Sequence, residues 1–201
     1  FAGRTFFGVH RVLDAPDHSY HLLQHGSTNH GRQQWPAGST CEQTGYYHPA
    51  NPIGELFNTA GRRFPRVAII GLGSGGLACY GSSGDKWTFY EIDPMVERIA
   101  RDESLFTFMR DCPPKIDVVI GDARLSLANA PDHHFDIFIL DAFSSDVIPV
   151  HLLTRQAIEL YLRKTAADGL LLNHISNRYM DLAPVLDRLA KELNLTALIQ
   201  D

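Results

Sequence analysis

Continuous apolar runs dominate the last two thirds of the chain. Residues 66–70, 87–92, 116–120, 135–140 and 169–173 read as five strands, and residues 197–200 as a weaker sixth. Because these runs do not alternate with polar positions, they predict parallel strands covered on both faces. Helical periodicity lies between them, at 94–102, 124–128, 154–165 and 182–193. Strand and helix in strict alternation define a doubly wound α/β unit over residues 61–201. Sheets of this kind often carry one more edge strand, expected beyond residue 201. Residues 1–60 differ in texture, being rich in His, Gly, Thr and Tyr. Runs at 4–13 and 19–24 read as strands joined by the turn Asp14-Ala15-Pro16-Asp17, and a third strand or loop leads through Arg32-Gln33-Gln34. This part is read as a small β-rich cap.

Composition narrows the picture. The 201 residues are 44% hydrophobic and 20% charged, enough for one full core with a small appendage. No apolar run approaches the about 20 residues that a membrane span needs. There are 18 basic and 23 acidic residues, net −5. A basic footprint for nucleic acid is missing, and a cationic substrate fits better than a polyanionic one. Cys41, Cys79 and Cys112 are too few and too scattered for a disulfide or zinc framework, so a reducing compartment is expected. A first residue Phe1, with no signal-peptide pattern after it, suggests a piece of a longer protein.

Candidate chemistry gathers at the strand ends. The first apolar strand runs into Gly71-Leu72-Gly73-Ser74-Gly75-Gly76, where a helix should follow. Glycines let a ligand press on the backbone, and strand ends are where open α/β sheets bind ligands. Glu91, twenty residues after Gly71, closes the second strand and can accept both ribose hydroxyl protons of an adenosine. A dinucleotide and an S-adenosylmethionine-type nucleoside both suit this turn. The third strand ends in Gly121-Asp122-Ala123 and the fourth in Asp141, with Asp146 following in a Ser- and Asp-rich loop. An acid at 122 suits an adenine amino group and favours the nucleoside; it can equally cap the next helix. Asp141 ends a buried run, where partial desolvation makes a carboxylate a better proton acceptor. Six of the ten histidines (His10, His18, His21, His25, His30 and His48) precede residue 50. A zinc site from His21, His25 and His30 matches no compact ligand spacing, so no metal is expected. His48 is a candidate for an amine pocket, while Trp35 and Trp87 read as packing residues.

At these residues the chain resembles the spermidine synthase (polyamine aminopropyltransferase) family, within the class I S-adenosylmethionine-dependent methyltransferase superfamily. The resemblance runs from the N-terminal strands through His25-Gly26, Gln33, Tyr46-Tyr47-His48, the glycine turn, Glu91-Ile92-Asp93, Gly121-Asp122-Ala123 and the stretch from Asp141 to Pro149. It implies a Rossmann-like fold with an N-terminal β-rich cap. It implies a nucleoside donor over Gly71, Gly73, Ser74 and Gly75, ribose on Glu91, adenine at Asp122 and Ala123, and Gln33 near the donor. Asp141 would deprotonate the attacking amine and Tyr47 would place it, with His48 and Asp146 as further substrate contacts. The implied reaction moves an aminopropyl group from decarboxylated S-adenosylmethionine to an amine such as putrescine, without metal. The resemblance also implies a homodimer in the cytoplasm. It is nearest to domains that in some bacterial proteins follow membrane-spanning segments.

Two departures keep alternatives open. The family usually has Asp where Ser74 stands, and that Asp grips the donor's amino group through a charge-assisted hydrogen bond worth roughly 1.5–3 kcal/mol. The usual pair of acids three residues apart is here Asp141 and Asp146, five apart. Intact S-adenosylmethionine, with methyl transfer, is therefore the second reading. A nucleoside- or polyamine-binding domain without turnover is the third, and a dehydrogenase a distant fourth.

Overall fold

A computed structural model describes residues 1–38, 41–42, 45–143, 149–176 and 180–200. Two sheets form its frame. The first is an antiparallel meander of β1 (Ala2–Thr5), β2 (Gly8–Asp14), β3 (Tyr20–His25) and β4 (Thr28–Gln34), paired in that order. The second is parallel and contains β5 (Arg66–Ile70), β6 (Lys86–Glu91), β7 (Lys115–Ile120), β8 (Phe135–Leu140) and β9 (Thr165–Asn173). Its order is β7-β6-β5-β8-β9. The order reverses between β5 and β8, which is where a ligand crevice opens in such sheets. The helices are α1 (Pro52–Thr59), α2 (Pro94–Arg101), α3 (Phe108–Asp111), α4 (Ala123–Leu127), α5 (Arg155–Lys164) and α6 (Ala183–Glu192).

The unbroken apolar runs follow from burial on both faces. In β5, Val67 and Ile69 point into one core, with Leu77, Phe89, Val96, Ile99 and Phe108. Ala68 and Ile70 point into the other, with Phe138, Leu140, Leu127, Ile158 and Tyr161. Side chains two apart share a face, so a strand covered twice has no polar position to spare. The expected α/β fold, with its separate N-terminal sheet, is thus present. No helix of the described residues is long and apolar enough to cross a membrane.

Several element expectations need correction. The run 4–13 is a hairpin, because Phe6-Phe7 turns and Gly8 takes φ +144°. An apolar pair hid the turn, and Phe6 is 97% exposed at its tip. The glycine turn leads into a short 3-10 helix (Gly76–Tyr80), not an α-helix, and Gly81 ends it. Residues 197–200 are exposed and outside any strand, so the parallel sheet has five strands among the described residues. Helices α1 and α3, each under three turns, were not foreseen.

The cap rests on the α/β unit through inward histidines. In β2 and β3 the buried positions alternate: His10 and Val12, then His21, Leu23 and His25. Across to the α/β unit, His10 Nε2 meets Asp93 Oδ2 and His21 Nδ1 meets the Leu105 carbonyl, both at 2.8 Å; within the cap, His25 Nε2 meets the Phe7 carbonyl at 3.0 Å. These are the partnered polar groups that burial demands. Trp87 is buried in the core and Trp35 stacks on His21, as packing residues do.

Asp93 is the hinge pin of this contact. It caps α2 by accepting from Met95 N–H, and it accepts from Thr5 Oγ1 at 2.5 Å. Burial pushes its carboxyl up, but the hydrogen bonds from Thr5, Met95 and His10 outweigh this and hold it below the usual value. Its stabilisation is therefore present above about pH 3.9, the ordinary Asp value, and is lost as pH falls through the depressed one. Asp93→Asn is expected to cost about 1–3 kcal/mol. Calorimetry should find the melting midpoint lower by about 2–4 °C for each kcal/mol. It should also find a shallower loss of stability in acid than in the parent.

Candidate functional site

Four strand ends, those of β5, β6, β7 and β8, supply the floor of the crevice. Gly71 follows β5, donates its N–H to the Tyr90 carbonyl at 2.9 Å and takes φ +103°; Gly73 and Gly75 are also left-handed. Glu91, at the end of β6, is buried beneath this turn. Its Oε2 accepts from Leu72 N–H at 3.0 Å and its Oε1 from Asp93 N–H at 2.9 Å. Burial pushes the Glu91 carboxyl above the usual range, although backbone donors at Asp93, Leu72 and Ile92 pull the other way. The carboxylate thus shapes the glycine turn as well as standing at its edge. A carboxylate offers about four acceptor positions, so these donors do not exhaust it.

Asp122, after β7, caps α4 by accepting from Leu125 N–H at 3.0 Å, and its other oxygen lies 3.2 Å from His151 Nε2. Ala123 is the buried first residue of that helix. The capping role weighed in the sequence is realised, and His151 is a partner that sequence did not indicate.

Asp141 follows β8, its N–H donating to the Ile70 carbonyl at 2.9 Å. This bond sets it directly across the topological switch from Gly71. Its side chain is 11% exposed and held from two sides. Tyr47 O–H donates to Oδ2, and His174 Nδ1 lies 2.6 Å from Oδ1. With the acid ionised, Nδ1 carries the proton. Tyr47 ends a 3-10 turn (Gly45–Tyr47) that is anchored from both sides: Tyr80 O–H donates to the Tyr47 carbonyl, and Asn51 Nδ2 to the Gly45 carbonyl at 2.9 Å. His174 continues β9, its N–H on the Leu140 carbonyl at 2.9 Å, with its ring against Phe143. His174 was missed by sequence reasoning. The available signal was its place just past an apolar strand, the same place that drew attention to Glu91, Asp122 and Asp141.

The cap closes the crevice from above. Ser74 is buried with its hydroxyl facing Gly31 of β4, and a Cβ on Gly31 would collide with it. Gly73 likewise lies under the His30 carbonyl. Gln33 is buried with its whole amide engaged by Thr107: its Oε1 accepts from the Thr107 N–H and its Nε2 donates to the Thr107 hydroxyl, both at 2.8 Å. It joins cap to sheet domain. Beside Tyr47 opens a cleft of about 310 Å³, lined by Tyr20, Leu22, Asn29, Gly31, Arg32, Gly45 and Tyr47. His48 is exposed, its Nδ1 accepting from Ala50 N–H, and so serves its own loop. Asp146 lies outside the described residues.

The cysteines are scattered in sequence but not in space. Cys41, Cys79 and Cys112, scattered in sequence, have their sulfurs within 4.8 Å of one another. The Cα of Cys41 lies 5.4 Å from that of Cys79 and 5.7 Å from that of Cys112, near enough to pair with either one at a time. Folding brings together what spacing kept apart.

Comparison with known proteins gives this geometry a context. No family model matches the chain. A probable spermidine synthase from Corynebacterium glutamicum ATCC 13032 superposes with a TM-score of 0.73 at 17% identity, over 97% of this chain and 70% of that one. A spermidine synthase in complex with the transition state analogue AdoDATO gives 0.69 at 16% identity, over 95% and 64%. The fold is the one these two structures share, a parallel α/β sheet with an antiparallel N-terminal sheet. In sequence, a polyamine aminopropyltransferase of Vibrio vulnificus (strain CMCP6) is 33% identical over 125 residues, 59% of this chain. The chain is thus similar to spermidine synthases in fold and to a polyamine aminopropyltransferase in sequence, and the alignment spans only 39% of that relative's length.

Proposed function

We propose that the chain is a spermidine synthase-like transferase. It would move the aminopropyl group of decarboxylated S-adenosylmethionine onto an amine such as putrescine. The observation that carries this reading is the Asp141 carboxylate, held by Tyr47 and His174 at the switch point beside the glycine turn. The similarity to a polyamine aminopropyltransferase, and to a spermidine synthase that binds a transition state analogue, supports it.

The chemistry asks for this arrangement. A polyamine nitrogen is an ammonium in water and must lose a proton to attack. The Asp141 carboxylate binds the ammonium, takes that proton, and leaves the amine in line with the carbon attached to the sulfonium. The new C–N bond forms as the C–S bond breaks, and methylthioadenosine leaves neutral. Tyr47 and His174 both donate to Asp141, so the base is fixed in orientation before the amine arrives. In this reading residues 61–201 bind the nucleoside and residues 1–60 cap it. Glu91 uses its remaining acceptor positions for the ribose hydroxyls, and Asp122 and Ala123 border the adenine. Gln33 acts through Thr107, as a wall of the donor site.

Ser74 favours a second reading. No carboxylate stands in the glycine turn to hold the donor's ammonium, and none repels the carboxylate of intact S-adenosylmethionine. Titration calorimetry with methylthioadenosine and both donors decides between them. Binding of methylthioadenosine and preference for the decarboxylated donor support aminopropyl transfer, while preference for the intact donor selects methyl transfer. Failure of all three nucleosides to bind would sink both readings. In the same experiment Glu91→Gln is expected to weaken methylthioadenosine binding by about 10–150-fold, the loss of a charged hydrogen-bonding partner. An unchanged affinity would remove Glu91 from the site.

A further inference from the structure

We propose that Cys41, Cys79 and Cys112 form a reversible thiol–disulfide exchange site, with Cys41 as the sulfur shared between two alternative partners. The three come from separate parts of the fold. Cys41 lies between β4 and the turn that ends in Tyr47, Cys79 lies in the 3-10 helix after the glycine turn, and Cys112 follows α3. The Cα of Cys41 is 5.4 Å from that of Cys79 and 5.7 Å from that of Cys112. Both separations fall within the range that a disulfide spans without backbone movement. A sulfur forms one disulfide at a time, so the two contacts are alternatives. The three sulfurs lie within 4.8 Å of one another, so the thiol left over stays close to the bridge. Exchange proceeds by attack of a thiolate on a disulfide sulfur, and such a third thiol is what it needs.

The chemistry balances. A small disulfide such as glutathione disulfide supplies the oxidant. The Cys41 thiolate attacks one of its sulfurs and releases one glutathione thiolate. The Cys79 thiolate then attacks the Cys41 sulfur and releases the second. Two electrons and the two cysteine protons end on two glutathione thiols. Cys112 next attacks the Cys41 sulfur, forming the other disulfide and freeing Cys79, with no net redox change. Cys41 is half-buried and within reach of a small disulfide, whereas Cys112 is buried. Cys112 is therefore not the entry point, and of the two half-buried sulfurs Cys41 is the one common to both bridges. Its consequence is local. Tyr80, next to Cys79, already holds the Tyr47 carbonyl. Either disulfide ties the chain six residues before Tyr47 to the same wall.

The test uses the whole chain equilibrated in glutathione redox buffers, then trapped by alkylation and mapped by mass spectrometry. The expected result is one disulfide and one alkylated thiol per oxidised molecule, with both the 41–79 and the 41–112 cross-linked peptides present. Cys79→Ser should retain only 41–112 and Cys112→Ser only 41–79. Both should lose the bridge on reduction with dithiothreitol while the circular dichroism remains that of a folded protein. The proposal is overturned if all three thiols alkylate across the full range of buffers, or if one bridge alone forms and the matching variant forms none. It is equally overturned if the purified protein holds a stoichiometric metal whose removal by chelator is what frees the thiols. These readouts need no substrate and stand apart from the fate of the proposed transfer reaction.

Discussion

Asp141→Asn is expected to lower the rate of amine transfer by about 10²–10⁴-fold, the usual contribution of a positioned general base. The amide fills the same volume at the same 11%-exposed position. It cannot take a proton from an ammonium, and its NH2 must face either the Tyr47 hydroxyl or the His174 ring. In the proposed arrangement the nucleoside is held by other residues, Glu91 and Asp122 among them. Affinity for methylthioadenosine should therefore persist while the chemical step fails. Single-turnover kinetics beside calorimetry separate the two. A variant that transfers at the parent rate would mean that the proton goes elsewhere. A variant that loses the nucleoside as well would mean that Asp141 acts in folding.

Gly71→Ala is expected to have the largest effect on stability, about 2–6 kcal/mol from a strained positive φ together with overpacking. Gly71 takes φ +103°, and a Cβ there would collide with the backbone carbonyl of Asp141. No rotamer relieves a clash between backbone atoms. The β5 and β8 ends must separate, and Asp141, whose N–H is fixed to the Ile70 carbonyl, moves with them. Denaturant unfolding should find the midpoint reduced with little change in slope, and transfer should fall even where the variant is folded. A midpoint equal to the parent's would show that the turn can open without cost.

How much of this was legible in sequence depended on distance along the chain. The parallel sheet was legible because burial on both faces imposes a local signature, an unbroken apolar strand such as 135–140. Strand-end residues were legible for the same reason: Gly71, Glu91, Asp122 and Asp141 each follow such a run. His174 occupies the equivalent place after β9 and was overlooked because Asn173-His174 matches no motif. The Phe6-Phe7 turn was hidden by its own apolarity. Contacts across the two sheets were out of reach. Nothing local in Gln33 announces Thr107, and nothing near Gly31 announces that Ser74 closes against it. The cysteines carry the same lesson. Separations of 38 and 71 residues read as scatter until the fold closes them.

The most direct measurement is a product assay by mass spectrometry. The chain is given isotope-labelled decarboxylated S-adenosylmethionine and putrescine, with Asp141→Asn alongside. Labelled spermidine and methylthioadenosine in equal amounts from the parent, and neither from the variant, is the predicted result. No methylthioadenosine from the parent, or equal turnover by parent and variant, would contradict the assignment of Asp141 as the base of an aminopropyl transfer.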